Sequence, residues 1–310
     1  MATPIRAAVW LAILRSLALA ADSSAIHVNP LQIVHHRPPC GPFRDPQPVT
    51  IIGYSGDAME PFISRDGKYL FFNDLNTAPA TKLYWATSMD ALTFQFQGEV
   101  GGVNTAMLDA VASMDLNGNF FFISTRSYTP NLSTVYTGAF AAGNVSGVAP
   151  APGIVSPMPG LVDFDAEVSA DGRSLYFTEG KFNGGSQPST AQIIVATRGA
   201  DGSFTRSAES ATILGNINTN TLNYAADTSA SQLELFFTRL DPDGPAIYAA
   251  SRSGIGLPFA KPVKIAAITG FAEAPSISPD GRTLFYHRQE NGHFAIYAVT
   301  RQNSEWCEPR

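Results

Sequence analysis

Charge is scarce in this chain: only 15% of its 310 residues are Asp, Glu, Lys or Arg. A disordered chain carries more charge and less than the 45% hydrophobic content found here, so a packed core is expected. Basic charge is scarcer still. Lys and Arg number 20 against 26 Asp and Glu, and the net charge of −6 argues against nucleic acid as a partner. The 2 cysteines, Cys40 and Cys307, lack Cys-x-x-Cys spacing, so no metal site is expected of them. No helical period is sustained anywhere. Past the amino terminus no apolar run could span a bilayer. Neither a Gly-x-Ser-x-Gly elbow nor a Gly-x-x-x-x-Gly-Lys loop occurs, which disfavours serine hydrolases and phosphate-loop enzymes. No cofactor is expected.

What is abundant is turn formers and aromatics: 26 Gly, 22 Pro, 20 Phe and 10 Tyr. That mixture predicts many short strands joined by tight turns. The first residues are a separate matter. Arg6, the apolar stretch Ala7–Leu14 and the Ala18-Leu19-Ala20 pattern read as an export signal over 1–21, although Arg15 interrupts it. Residues 22–40 then form a lead-in, and 41–310 a single domain in the periplasm or outside the cell.

The domain is repetitive. A small or acidic lead-in, a serine, a turn and an aliphatic-aromatic strand recur five times: Glu60–Phe72, Asp109–Phe122, Asp165–Phe177, Asn223–Phe237 and Glu273–Tyr286. The aligned serines are Ser64, Ser113, Ser169, Ser229 and Ser278, with one residue inserted in the second repeat and the Asp-Gly missing from the fourth. A third strand follows in each, as in Leu83-Tyr84-Trp85 and Ile296-Tyr297, and a weaker fourth, as in Val263-Lys264-Ile265. Five such units predict an all-β fold: a five-bladed β-propeller of four-stranded antiparallel blades. Ser278-Pro279-Asp280-Gly281 with Leu284-Phe285-Tyr286 resembles the WD40-like repeats of the TolB type, and Ser169–Gly172 and Ser64–Gly67 are close to it. The resemblance implies the fold. It leaves function open, because such propellers serve as scaffolds, assembly factors and enzyme supports.

The last repeat runs out after three strands. Gly41-Pro42-Phe43 resembles Gly256-Leu257-Pro258-Phe259, so residues 48–53 are expected to supply the missing outer strand of the blade built by 273–301 and so to close the ring. Cys40 and Cys307 then flank the two ends of that blade, and a disulfide between them would suit an exported protein.

Loops before the first strand and after the second lie on one face of a propeller, around the channel mouth. Glu60, Asp109, Asp165, Asn223 and Glu273 fall in the first set; Asp74, Arg126, Glu179, Arg239, His287 and Arg288 fall in the second. One reading makes these residues strand caps and ion pairs. Another makes them a ligand site for a protein or carbohydrate, with Glu273, Asn223, Arg126, Arg239, His287 and Arg288 in contact. If the protein is an enzyme, Glu60, Asp109 and Asp165 (or Glu167) are the catalytic candidates, an arrangement that looks like five-bladed glycosidases of the arabinanase and fructosidase kind. Asp115–Asn119 faintly resembles a calcium loop, but a turn accounts for it. The leading expectation is a monomeric binding scaffold, with a carbohydrate-active enzyme as the rival.

Overall fold

The computed structural model describes residues 41–76, 80–183, 187–219 and 222–302. The expected signal, Cys40 and Cys307 lie outside the described residues. Strand β1 is Arg44–Pro48, and the first blade holds β2 (Thr50–Ile52), β3 (Met59–Ile63), β4 (Tyr69–Asn73), β5 (Leu83–Ser88) and β6 (Thr93–Glu99). The second blade is β7 (Asp109–Met114), β8 (Asn119–Ser127), β9 (Ser133–Ala141) and β10 (Asn144–Pro150). The third is β11 (Leu161–Val168), β12 (Ser174–Lys181), β13 (Thr190–Arg198) and β14 (Phe204–Arg206). The fourth is β15 (Asn223–Thr228), β16 (Glu234–Asp241), β17 (Gly244–Ser251) and β18 (Val263–Lys264). The fifth is β19 (Ala272–Ile277), β20 (Thr283–Glu290) and β21 (His293–Thr300), completed by β1. The first strand of each blade packs on those of both neighbours, β3–β7–β11–β15–β19 and back to β3. That closed circuit is a five-bladed propeller.

The recurring aromatics explain why the blades stack. Successive strand residues face opposite sides of a sheet. In β4, Phe71 therefore enters the core shared with blade 2, while Phe72 enters the one shared with blade 5. Tyr176 and Phe177 divide the same way, as do Phe236 and Phe237, and Phe285 and Tyr286. Each such ring contributes roughly 1.5–3 kcal/mol by burial.

The turn chemistry is equally direct. Ser64 Oγ donates to Asp66 Oδ1 (2.7 Å) and accepts from the Tyr69 amide (2.9 Å), while Gly67 takes the left-handed conformation (φ 73°). Ser169 with Asp171 and Ser278 with Asp280 repeat it. The fourth repeat keeps the turn without Asp-Gly: Gln232 adopts φ 58°, and Ser229 Oγ accepts from the Glu234 amide (3.2 Å). In the second repeat the turn serine is replaced by Asp115, whose Oδ1 accepts from the amides of Asn117 and Asn119 (2.8 and 2.9 Å). Ser113 is thus not the counterpart of Ser64, and nothing is inserted. The Asp115 amide bonds four residues on, to Asn119, where Ser64 reaches five, to Tyr69, so this turn is one residue shorter.

Ring closure occurs slightly earlier than the sequence suggests. Residues 44–48, not 48–53, pair antiparallel with β21, with Gln47 opposite Ala298 and Pro48 opposite Tyr297. The Val49 amide adds a last bond to Ile296 O (2.9 Å). Thr50–Ile52 then turn away and pair parallel with β6 of blade 1, giving that sheet five strands. The anchor is Phe43, under the Arg301 guanidinium at 4.7 Å, as Phe259 lies under Arg252 at 4.4 Å in blade 4. Arg301 also makes two bonds of 2.7 Å to Glu234 of the neighbouring blade. Arg301→Ala would leave that buried carboxylate without its guanidinium, at a cost of about 3–5 kcal/mol. Urea unfolding should show this as a lower midpoint; a loss below about 1 kcal/mol would mean the seam does not depend on the pair.

Candidate functional site

One irregularity organises the channel. Every innermost strand carries a bulge whose first residue has left-handed backbone: Glu60 (φ 52°), Val111 (52°), Asp165 (50°), Ala225 (48°) and Ala274 (53°). None is glycine, so each costs roughly 1–2 kcal/mol, offset at four of the five by a bond to the preceding blade. The Glu60 amide donates to His287 Nδ1 (3.1 Å), Val111 to Asn73 Oδ1 (3.1 Å), Ala225 to Asp165 Oδ2 (3.0 Å) and Ala274 to Thr238 Oγ1 (3.0 Å). The bulge turns these five residues toward the channel.

It also sorts the acidic candidates into two groups. Asp109 lies two residues before its bulge and is fully buried. It pairs with Arg126 (2.6 Å) and accepts from the amide and hydroxyl of Thr105 (both 2.6 Å). Its counterpart in blade 3 is Asp163, held by Arg206 (2.9 Å), and in blade 4 Asn223, whose Oδ1 accepts from Arg239 (2.9 Å). Arg206 also pairs with Glu179 (2.8 Å), Asp74 accepts from the Lys82 amide (2.8 Å), and Arg288 pairs with Glu290 (3.0 Å). Asp109, Asn223, Arg126, Arg239 and Arg288 are thus engaged in strand-end contacts.

Glu60, Asp165 and Glu273 form the other group. They come from blades 1, 3 and 5 at the end of the channel where the innermost strands begin. Tyr224 Oη donates to Glu273 Oε1, and His287 Nε2 lies 3.2 Å from Glu273 Oε2. Because His287 Nδ1 accepts from the Glu60 amide, its proton sits on Nε2 and points at Glu273. Asn76 donates to Glu60 Oε1 (3.1 Å). Burial, with repulsion from Asp165 and Glu273 opposing the pull of His287, raises Glu60 to about 8. Burial raises Asp165 to about 7 against the Ala225 amide bond, and Glu273 adds to the rise. Two carboxyls raised toward neutrality thus share the mouth with Glu273, which accepts two hydrogen bonds, an arrangement open to general acid–base chemistry. The sequence reading included Glu60, Asp165, Glu273 and His287 but missed Tyr224 and Asn76. Tyr224 directly follows a lead-in asparagine, which was its only signal.

The opposite end is sealed. Arg65, in the turn after β3, reaches across to Glu167 of blade 3, to Asp227 of blade 4 (3.1 Å), and to the carbonyls of Val168 and Thr228 (3.0 and 3.1 Å). Burial and the nearby Asp227 push Glu167 well up, although Arg65 opposes them. Glu167 is thereby committed to the plug. Between plug and mouth lies a cavity of about 30 Å³ lined by Glu60, Asp165, Val111 and Ala225 among others. That is room for one or two waters. Among the described residues no group of three or more His, Cys, Asp or Glu is placed to hold a metal ion.

No family model matches the chain, and no curated protein does. Solved structures do. A protein described as a glycoside hydrolase superposes with a TM-score of 0.61 at 10% identity, over 87% of this chain and 95% of that one. A family 117 glycoside hydrolase from the marine bacterium Zobellia galactanivorans gives 0.57 at 11% identity, over 85% and 91%. A thermostable family-43 glycoside hydrolase gives 0.53 at 14%, over 84% and 99%. At these identities the likeness establishes the propeller fold.

The acid cluster carries a pH signature. A carboxyl raised on folding contributes stability that is present at low pH and lost as pH rises through the folded pKa. Melting temperature should therefore fall between about pH 5 and pH 9. Glu60→Gln and Asp165→Asn should each flatten that slope and exceed the parent only at the alkaline end. A parent curve without the fall, or variants that keep it, would contradict the cluster.

Proposed function

We propose that the chain is an exported, monomeric propeller with TolB-like repeats that binds a protein or glycan partner on the face carrying Glu60, Asp165 and Glu273. The supporting observation is the shape of the channel: an acidic mouth above a space that holds only one or two waters and is plugged by Arg65. A ligand has to sit on the rim. There the carboxyls and Tyr224 can exchange hydrogen bonds with hydroxyl or ammonium groups, and the chain's negative balance favours a neutral or basic partner. Export is read from residues 1–21. With it goes a Cys40–Cys307 disulfide, which mass spectrometry of the unreduced exported protein should reveal as a linked peptide pair; two free thiols would refute it.

A second reading is an extracytoplasmic carbohydrate-active enzyme. The observation favouring it is the pairing of Glu60 and Asp165, both raised toward neutrality, with Glu273, which accepts from Tyr224 and His287. Glycosidic cleavage needs one protonated and one ionised carboxyl. Glu60→Gln, Asp165→Asn and Glu273→Gln separate the two readings on a panel of neutral oligosaccharides and lysine-rich peptides. A scaffold should show affinity changes of about two- to tenfold and no bond cleavage by the parent. An enzyme should release reducing ends and lose about 10²–10⁴ in rate on substitution while still binding. Neither binding nor turnover across the panel would overturn both.

A further inference from the structure

The two ends of the channel treat their acids differently. At the plug, Glu167 and Asp227 meet a cation of the chain itself, Arg65. At the mouth the partners of Glu60, Asp165 and Glu273 are Asn76, the Ala225 amide, Tyr224 and His287, and among the described residues no lysine or arginine is paired with them. Asp165 is only 7% exposed and lines the small cavity between mouth and plug. Among the described residues it accepts one hydrogen bond, at Oδ2, and none at Oδ1. A carboxylate oxygen left unbonded in so buried a place is costly, and a donor from outside the chain would satisfy it.

The cavity limits what that donor can be. Its volume of about 30 Å³ holds one or two waters, so the body of a partner stays on the rim and only a group of that size passes below it. Pro61, Ala112, Ala166 and Ala226 give it apolar wall around the acids. A lysine ammonium fits these limits: a compact charge with three N–H donors on a flexible four-carbon stem. A guanidinium is a flat fork too broad for the space, and a hydroxyl brings no charge to set against three carboxyls. An amine fixed directly to a sugar ring lacks the stem that would carry it below the rim.

Resting on the binding reading above, we infer that the partner is a protein and that it inserts one lysine side chain here, its ε-ammonium among Glu60, Asp165 and Glu273. The ammonium takes the place of a proton. Glu60 and Asp165, raised to about 8 and about 7, retain protons near neutral pH because the three carboxyls repel one another in a buried place. A cation seated there favours their ionised forms, so a proton leaves as the lysine arrives. The groups facing the site from the packed strands are Glu273 of β19, His287 of β20 and Tyr224 of β15. Asp109, Asp163 and Glu179 are paired with Arg126 and Arg206, and Glu167 and Asp227 stand at the plug with Arg65. Lysine itself, with an ordinary pKa of about 10.4, stays charged while the two carboxyls ionise, so affinity rises with pH.

The test titrates the full chain with short glycine-serine peptides that differ only in a central lysine, arginine, acetyl-lysine or norleucine, alongside neutral oligosaccharides. The lysine peptide should bind about tenfold or more tighter than the arginine peptide, and the acetyl-lysine and norleucine peptides should show no binding up to about 10 mM. Its affinity should rise about tenfold between about pH 6 and pH 9, with release of roughly one proton, read as heats that differ between phosphate and imidazole buffers. Glu60→Gln and Asp165→Asn should each weaken the lysine peptide about tenfold and reduce the proton release, with the circular dichroism of the parent. The peptide comparison needs only the parent protein, so a variant that fails to fold leaves the test standing. Arginine binding as tight as lysine, or lysine binding independent of pH, would overturn the inference. So would oligosaccharide binding without lysine binding, which would leave the mouth a binding face for another ligand. Lysine binding that ignores both folded variants, or no binding by anything in the set, would overturn this inference and the reading of the mouth together.

Discussion

A ring of identical wedges must solve one problem five times over: how the innermost strands approach without leaving backbone donors unpaired. Here the solution is a bulge. It breaks the ladder between the first and second strands of every blade and, in four of the five, hands the freed amide to a neighbouring first or second strand. His287, Asn73, Asp165 and Thr238 receive those amides. The cost is left-handed backbone at residues that resist it, Val111 above all, since β-branching crowds that conformation. Buried, unpaired amides would cost a comparable amount each, so bond and bulge stand or fall together. Blade 3 shows the substitution logic. Asp165 takes the Ala225 amide, and Thr178, which pairs at the register Thr238 occupies in blade 4, is left with its buried Oγ1 unpartnered.

The same bulge divides acids that look alike in sequence. A carboxylate two residues before it faces the strand-end arginine of its own blade, as Asp109 faces Arg126. A carboxyl on it, as at Glu60 and Asp165, turns into the channel. One placed four residues beyond the strand-end position, as Glu167 and Asp227 are, meets Arg65 at the far end. One cation against two carboxylates in a dry space favours keeping a proton on one of them, and the upward push on Glu167 is the consequence. The channel therefore has an acidic end and a cationic plug, and nothing larger than water has room between them.

Blade number and strand order were legible because both rest on local chemistry. The serine–aspartate–glycine turn closes on its own backbone, and the aromatic pair must split between two interfaces. What escaped the sequence was what depends on register. Ser113 matched the serine pattern, yet Asp115 makes the turn, because an aspartate oxygen accepts the same amides a serine oxygen does. The bulges had no glycine to announce them, so Asp109, Asn223 and Glu273 lined up with Glu60 and Asp165 although they sit one or two residues earlier in the ladder. The closing strand slipped for a similar reason. Pro48-Val49 reads like Pro262-Val263, but Lys264 and Pro48 are the residues that each oppose a tyrosine, Tyr248 and Tyr297. Arg65 occupied the variable place in its turn and carried no sign of reaching two blades away.

The seam and the acidic mouth are one problem, not two. The hydrogen bond from the Glu60 amide to His287 joins the first blade to the last across 227 residues of sequence. Glu273, on the same side of the seam as His287, receives its second bond from Tyr224 of blade 4. Asp165 belongs to blade 3 and does not depend on the seam. The spacing of Glu60 from Glu273 is therefore set by how residues 44–52 hold blade 5 against blade 1, through the antiparallel pairing to β21 and the parallel pairing to β6. In a solenoid each unit could relax independently. In a closed ring the last blade is positioned by the first, so the latch that closes the ring also fixes the geometry of its acidic mouth.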